Sequence, residues 1–184
     1  SDDASQDETP GKVRSVVSRH LSEGVAPALH ITINTSPLGV TKNFEQAIRQ
    51  CSGDLIALCD QDDVWHNDRL NTIASVFRNA PELLLLHGNA DLIDDQGNTL
   101  GHSLFEALEV TAAELHMIRA GRAFDAYLRR NLATGATTVF RKSLLEVALP
   151  FPEEWLHDEW LAMIASSTGM VSVCDEVMVG YRQH

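Results

Sequence analysis

The sequence predicts an α/β fold: a mostly parallel sheet flanked by helices, in a single domain of 184 residues. Short β-rich apolar runs alternate with segments whose apolar residues recur every three or four positions, the pattern of βαβ units. Leu55-Ile56-Ala57-Leu58 and Leu83 to His87 are continuous apolar runs of strand length, as strands buried on both faces require. A hydrophobic content of 44% suits a chain of this length with a real core.

Ser1-Asp2-Asp3-Ala4-Ser5 reads as the exit turn of a strand. Ser5 and Glu8 have capping-box spacing, with Pro10 in the first turn. Val13, Val16, Val17 and Leu21 then mark an inward helical face, broken at Gly24 and Pro27. His30 to Asn34 is a short β-branched strand, and Ser36 to Gly39 a turn. Val40, Phe44, Ala47, Ile48 and Cys51 share a second helical face. After the strand at Leu55, Asn67 is the expected cap of a helix turning Leu70, Ile73, Ala74 and Phe77 inward. Leu83 to His87 is the next strand, and Asp95 to Asn98 a turn. Beyond residue 100 the pattern loosens. Thr111 and Glu114 form a second capping box for a helical segment reaching Arg130. Thr137 to Phe140 reads as a strand and Ser143 to Leu149 as a short helix. A helix with Leu156, Trp160, Met163 and Ile164 inward begins near His157, and Met170 to Val173 and Val177 to Tyr181 close the chain as strands.

The stretch richest in chemistry is Asp60-Gln61-Asp62-Asp63-Val64-Trp65. Ionised carboxylates cannot lie inside a buried strand, because desolvating them costs too much. They must therefore sit just past its end, in the crevice where open α/β sheets bind ligands. If the chain stays extended there, Asp60 and Asp62 point to the same side. Two such charges repel unless a cation lies between them, and a hard divalent ion, Mg2+ or Mn2+, suits oxygen ligands. The alternative is a solvated acidic turn opening the next helix.

A formal charge of −12, from 26 acidic and 14 basic residues, argues against nucleic acid or an anionic membrane as partner. The three cysteines, Cys51, Cys59 and Cys174, lack ligand spacing and read as buried free thiols, which points to a reducing, cytoplasmic setting. No apolar run reaches membrane-spanning length and no signal peptide is read, though the chain opens on Ser1 rather than Met. His20, His30, His66, His87, His102 and His116 show no ligand spacing.

In order along the chain, Ser1 to Ser5 with Asp7 and Thr9, Gly39 with Lys42-Asn43-Phe44, Asp60 to Trp65, Thr134-Gly135, Pro150-Phe151-Pro152, His157 to Trp160 and Tyr181 to His184 form a set. Each piece is weak alone. Together the set resembles a family 2 glycosyltransferase of the GT-A fold, nearest the rhamnosyltransferase-like bacterial subgroup, with the family's first strand missing. The resemblance implies an inverting transfer of a sugar from a nucleotide diphosphate donor, a UDP- or dTDP-sugar, to a hydroxyl of a saccharide or lipid-linked saccharide, in cell-surface polysaccharide synthesis. It implies a Mg2+ or Mn2+ cofactor, a nucleotide-sugar half over residues 1–100 and an acceptor and catalytic half over 101–184. The setting is cytoplasmic or peripheral at the inner face of the membrane.

The same resemblance assigns roles. Asp158 matches the catalytic base; its alternative is a carboxylate favouring a helix N-terminus. Asp62 matches the metal ligand and Asp60 its partner toward ribose and metal. Asp63 is either a second ligand or a helix-start charge, and His184 either completes the metal shell, as a His near this position does in some GT-A enzymes, or is a disordered terminal residue. Asp2 and Asp3 match a turn contacting base and ribose, or form a solvated Asx turn. Lys42 stands where the family often has Arg near the diphosphate, or is a solvated helix-start lysine. Gly135 and Trp160 fall to acceptor binding, although Trp65, Trp155 and Trp160 fit core positions as well as a sugar-stacking wall. The competing readings are a sugar nucleotidyltransferase, which lacks its Gly-rich basic loop here, an inactive binding module of the same fold, and an acidic Ca2+-binding domain, which lacks EF-hand spacing.

Overall fold

The computed structural model describes residues 1–21 and 28–184. The break expected at Gly24 and Pro27, and the burial expected of the Leu21 side chain, lie outside the described residues. The chain divides into two compact units, one of residues 1–52 and 150–157, the other of 53–149 and 158–184.

The first unit carries helices α1 (Thr9–Leu21) and α2 (Val40–Gln50). Helix α1 starts four residues after Ser5, with Asp7 Oδ1 accepting the Thr9 N–H, so the expected Ser5 cap is replaced by Asp7. Val13 and Val16 are exposed, against expectation. The expected strand at His30–Asn34 is reduced to one parallel bridge, Asp2 to Ile33, because among the described residues only the Asp2 backbone bonds it. In α2 the buried residues are Ile48 and Glu45, while Val40 and Cys51 are exposed. Glu45 tolerates its position because Arg49 and the Phe151 N–H bond its two oxygens. Burial works to raise its pKa; those partners outweigh it and hold the carboxyl below its ordinary value.

The second unit holds two four-stranded sheets. One contains β1 (Leu55–Ala57), β3 (Leu83–Gly88), β6 (Val139–Arg141) and β7 (Met170–Cys174) in the order β1-β6-β3-β7. The other contains β2 (Val64–Trp65), β4 (Asp91–Ile93), β5 (Thr99–Ser103) and β8 (Val179–Arg182) in the order β2-β8-β4-β5. In the first sheet β1, β3 and β7 run the same way, as βαβ crossovers through α3 (Arg69–Asn79) and α8 (His157–Thr168) require. The reversed strand β6 is inserted between β1 and β3, so only β3–β7 is a parallel neighbour pair. The second sheet likewise has one parallel pair, β4–β8. The sheets are therefore mixed, which corrects the mostly parallel expectation at the level of pairing. A later strand returning antiparallel fills the gap that sequence order alone assigns to a parallel neighbour.

The helical segment expected to reach Arg130 is two helices, α5 (Ala112–Arg119) and α6 (Ala123–Tyr127), because Gly121 takes a left-handed φ of 77° between them. The Thr111–Glu114 capping box forms as expected, and a second one, Ser103–Glu106, opens α4 (Leu104–Ala107). A further short helix, α7 (Leu145–Ala148), follows β6. Ile73, Phe77, Leu83, Leu86 and Val139 pack as one core cluster, and Ala90, Leu92, Leu104, Ala136 and Val179 as another. Helix α3 is capped by Asp68 rather than Asn67, without a side-chain bond, and buries Arg69 in place of the expected Leu70. In α8 the buried positions include Leu161, Ala162 and Ala165, and Leu156 is exposed just before it. None of the three cysteines is fully buried, and Cys51 and Cys59 are exposed, so the buried-thiol expectation fails where apolar neighbours lie at the ends of elements.

Candidate functional site

Strand β1 ends at Ala57, and the Leu58 N–H still bonds Thr138 O at 3.0 Å. The chain then leaves the first sheet, bends at Gln61 and Asp62, and enters the second sheet as β2. The acidic residues thus occupy the passage between two sheets. The bend replaces the expected extended course. Asp60, Asp62 and Asp63 are each half-buried.

Strand β8 fixes this loop from its far side. The Arg182 N–H donates to Asp63 Oδ1 at 3.0 Å and Arg182 Nε to Asp62 O at 2.9 Å. The same guanidinium donates to Asp94 O, tying the β4–β5 turn to the loop. His184 Nε2 lies 2.5 Å from Asp62 Oδ2, and its Nδ1 lies 3.8 Å from Asp95. Asp63 Oδ2 is buried and has no protein hydrogen-bond partner.

The carboxylates feel one another. Asp60 is pushed up to about 6, by burial first and then by the charges of Asp63, Asp62 and Asp158. Asp63 is also raised, chiefly by burial, with the Arg182 N–H working against it. Asp158 stands in the first turn of α8. Its Oδ2 accepts the Gly135 N–H at 2.7 Å and its Oδ1 the Glu159 N–H at 2.8 Å. Gly135 opens the 3₁₀ turn Gly135–Thr137 that leads into β6.

The four expected metal ligands are not gathered into one cage. Among the described residues no group of three or more His, Cys, Asp and Glu is arranged to hold a metal ion. Asp62 and His184 form the close pair, and Asp63 gives one oxygen to Arg182 instead. This fits a particular kind of cation site. Mg2+ and its relatives bind through one or two carboxylates and complete their shell with phosphates and water. The Asp62 and Asp63 carboxylates, the latter with an unpartnered buried oxygen, would suit such a site with His184 beside them.

The remaining expected residues are engaged in holding structure. Asp3 Oδ1 accepts from the Leu38 N–H and Asn34 Nδ2, and its Oδ2 from the Gly39 N–H. The Leu38 bond foremost, then the others, keeps its carboxyl below the ordinary range. Asp2 Oδ1 accepts the Ser5 N–H, the Asx turn weighed above, around a left-handed Ala4. Lys42 Nζ donates to Phe151 O at 3.0 Å and stands 3.7 Å from Glu45. Trp160 Nε1 donates to Ala148 O, and Trp65 packs against the cluster around Ala136, so both serve packing. Gly135 contributes through its N–H to Asp158.

Sequence reasoning missed Arg182 and Arg69. Arg182 was part of a matching motif, yet nothing local says that its N–H and guanidinium reach 120 residues back. Arg69 was passed over because a scan for apolar periodicity skips charged positions; its place one helical turn before Ile73 was the available signal.

The α/β unit, with mixed sheets and an acidic passage at the end of a buried strand, matches the GT-A type of fold of solved glycosyltransferases. Solved structures agree on the fold. TarS of Staphylococcus aureus, in complex with UDP-GlcNAc, aligns with a TM-score of 0.66 at 21% identity, over 100% of this chain and 48% of that one. The mannosyltransferase PcManGT of Pyrobaculum calidifontis, in complex with GDP-Man and Mn2+, aligns at 0.67 and 19% identity, over 99% and 46%. The sequence description of glycosyl transferase family 2 matches residues 1–148, and the chain belongs to that family. An uncharacterised glycosyltransferase of Nostoc is 23% identical over 188 residues, covering 97% of this chain and 49% of its own length. An uncharacterised protein of Mycobacterium tuberculosis is 26% identical over 187 residues, covering 100% and 49%. The chain spans about half the length of these curated relatives. Among the described residues no helix is long and apolar enough to cross a membrane.

Proposed function

We propose that this chain carries the catalytic centre of an inverting, divalent-cation-dependent glycosyltransferase. One observation carries the reading. A single compact unit brings a lone anchored carboxylate, Asp158, near enough to the Asp60–Asp63 loop for its charge to bear on Asp60. In-line displacement at a sugar carbon needs two such groups, a base for the attacking hydroxyl and a counter-charge for the leaving diphosphate. Asp158 takes the base role. Its two bonds from Gly135 and Glu159 fix the carboxylate and leave lone pairs for an acceptor hydroxyl. Asp62, with His184 and Asp60, would hold a divalent cation, and such an ion would supply positive charge to offset that of a leaving diphosphate. Arg182 keeps the loop in shape through backbone atoms of Asp62 and Asp63.

The donor is a nucleotide diphosphate sugar, with UDP and dTDP the first bases to test. UDP-GlcNAc with TarS and GDP-Man with Mn2+ in PcManGT, two structures of this fold, support that class. Asp2, Asp3 and Lys42 belong on the nucleotide side within residues 1–100. The bonds they already make cast Asp3 and Lys42 as scaffold for that side, with Asp2 the freer carboxylate. Gly135 and Trp160 belong on the acceptor side within residues 101–184, acting through backbone and packing. A saccharide or lipid-linked saccharide acceptor, in surface polysaccharide synthesis at the inner face of the membrane, completes the proposal.

The test is transfer from a panel of labelled nucleotide sugars to simple saccharide acceptors, with proton NMR of the anomeric centre in the first product. Inversion relative to the donor supports the reading, and retention refutes it.

A further inference from the structure

Arg69 is the largest fully buried side chain of the second unit, at 1% exposure. Its Nη1 donates to Ala136 O at 2.8 Å, and its guanidinium carbon lies 4.3 Å from the centre of the Trp65 ring. Its Nε and Nη2 are buried with no protein hydrogen-bond partner. Among the described residues no carboxylate lies within ion-pair distance of it. Burying such a cation carries a desolvation cost that an apolar side chain of similar volume avoids, so filling the core does not by itself explain it. What it does is join two segments. Trp65 stands two residues after Asp63, and Ala136 one residue after Gly135, whose N–H holds Asp158. The one guanidinium touches both the strand that follows the acidic loop and the turn that anchors the carboxylate.

We propose that Arg69 is a positioning residue for sugar transfer, setting the separation between the acidic loop and Asp158. This rests on the function proposed above. The two groups act on opposite sides of one carbon, so their spacing governs the rate. A displacement of about 1 Å costs on the order of a hundredfold in such a geometry. Replacing Arg69 leaves Asp158 chemically unchanged, and Arg69→Lys also keeps the positive charge that favours ionised Asp63, so binding of the donor is largely kept.

The test compares Arg69→Met, which matches the volume, with Arg69→Lys, which keeps a donor for Ala136 O but not the flat face over Trp65. Transfer kinetics and amide hydrogen exchange are read together. For Arg69→Met the expected result is kcat lowered about a hundredfold with KM within about threefold. Arg69→Lys recovers about tenfold of that loss. Exchange of the amides at Gly135, Thr137 and Thr138 quickens in Arg69→Met, in step with the looser turn. That exchange is measured whether or not the protein transfers sugar. Unchanged exchange across 60–65 and 135–138 overturns the positioning role, whatever the kinetics. So does a Met variant with wild-type kcat, or one whose loss merely follows its folded fraction. A wild-type chain inactive with every donor refutes the transferase reading and takes this assignment with it, while quickened exchange in Arg69→Met then marks the contact as structural. If Arg69→Met does not fold, Arg69→Lys carries the same two readouts: wild-type kcat with wild-type exchange overturns the proposal.

Discussion

Replacing Asp158 with Asn separates its chemical role from its structural one. The carboxylate accepts two backbone N–H groups, from Gly135 at 2.7 Å and Glu159 at 2.8 Å. The amide keeps one acceptor oxygen and turns an NH2 toward the other donor. Losing one hydrogen bond to a charged group costs about 1.5–3 kcal/mol when buried. Asp158 is half-buried, and its removal also relieves repulsion on Asp60, so the net destabilisation is about 1 kcal/mol. That lowers Tm by roughly 2–4 °C in a chain of this size. The rate changes on a different scale. Loss of a general base costs about 10²–10⁴ in kcat, or roughly 3–5 kcal/mol of barrier. A 1 kcal/mol loss from a stability of about 5–15 kcal/mol leaves the protein folded, so it cannot mimic that effect. The assay is single-turnover transfer with saturating donor and Mn2+, beside nucleotide titration of the same variant. The expected outcome is nucleotide affinity within about threefold of wild type and a rate at least a hundredfold lower. A rate within tenfold of wild type would refute the base assignment.

Three further outcomes follow from particular groups. Mn2+ affinity should weaken as pH falls through about 6, because protons then compete for Asp60, whose carboxyl titrates near there; calorimetry from pH 5 to 7.5 gives a flat profile if Asp60 does not face the cation. Burial lowers His87 to about 4, so the folded protein holds fewer protons than the unfolded one between that pH and the ordinary 6.5. Stability therefore falls as pH drops through this window, and denaturant midpoints for wild type and His87→Leu should converge toward pH 4. Thr111→Ala removes the α5 cap, whose Oγ accepts the Glu114 N–H, at a cost of about 1 kcal/mol; a Tm unchanged in a thermal scan would show the box contributes nothing.

Much of this fold was legible because strong local rules agreed. Leu83 to His87 had no alternative to a buried strand, and Thr111 with Glu114 wrote their cap in four letters. The acidic loop was legible because ionised carboxylates cannot follow five apolar residues into a core. What the sequence hid was long-range. Strand β2 is two residues long and pairs with β8, Val64 with Gly180 and Trp65 with Val179, more than a hundred residues later. Glu45 and Arg69 are buried because specific partners receive them, Arg49 and Phe151 for one, Trp65 and Ala136 for the other. An apolar count cannot see such positions. Val13 and Val16 show the converse, apolar positions at helical spacing whose side chains are nonetheless exposed. At the site, Asp158 and Asp62 were singled out through the family resemblance, and only the fold showed the Gly135 N–H bonding the Asp158 carboxylate and Arg182 bonding the Asp62 backbone.

The most direct measurement of the central claim is a thermal-shift panel of the protein with UDP, dTDP, GDP and CDP, each with and without Mn2+, and with Asp62→Asn alongside. At a hundredfold excess over Kd, binding adds about 2.7 kcal/mol, a rise of roughly 5–11 °C. A rise for one nucleoside diphosphate that requires Mn2+ and is lost in Asp62→Asn is the predicted result. A rise indifferent to Mn2+ or to Asp62, or no rise at saturating nucleotide and metal, would contradict the cation-bridged diphosphate on which the proposed mechanism depends.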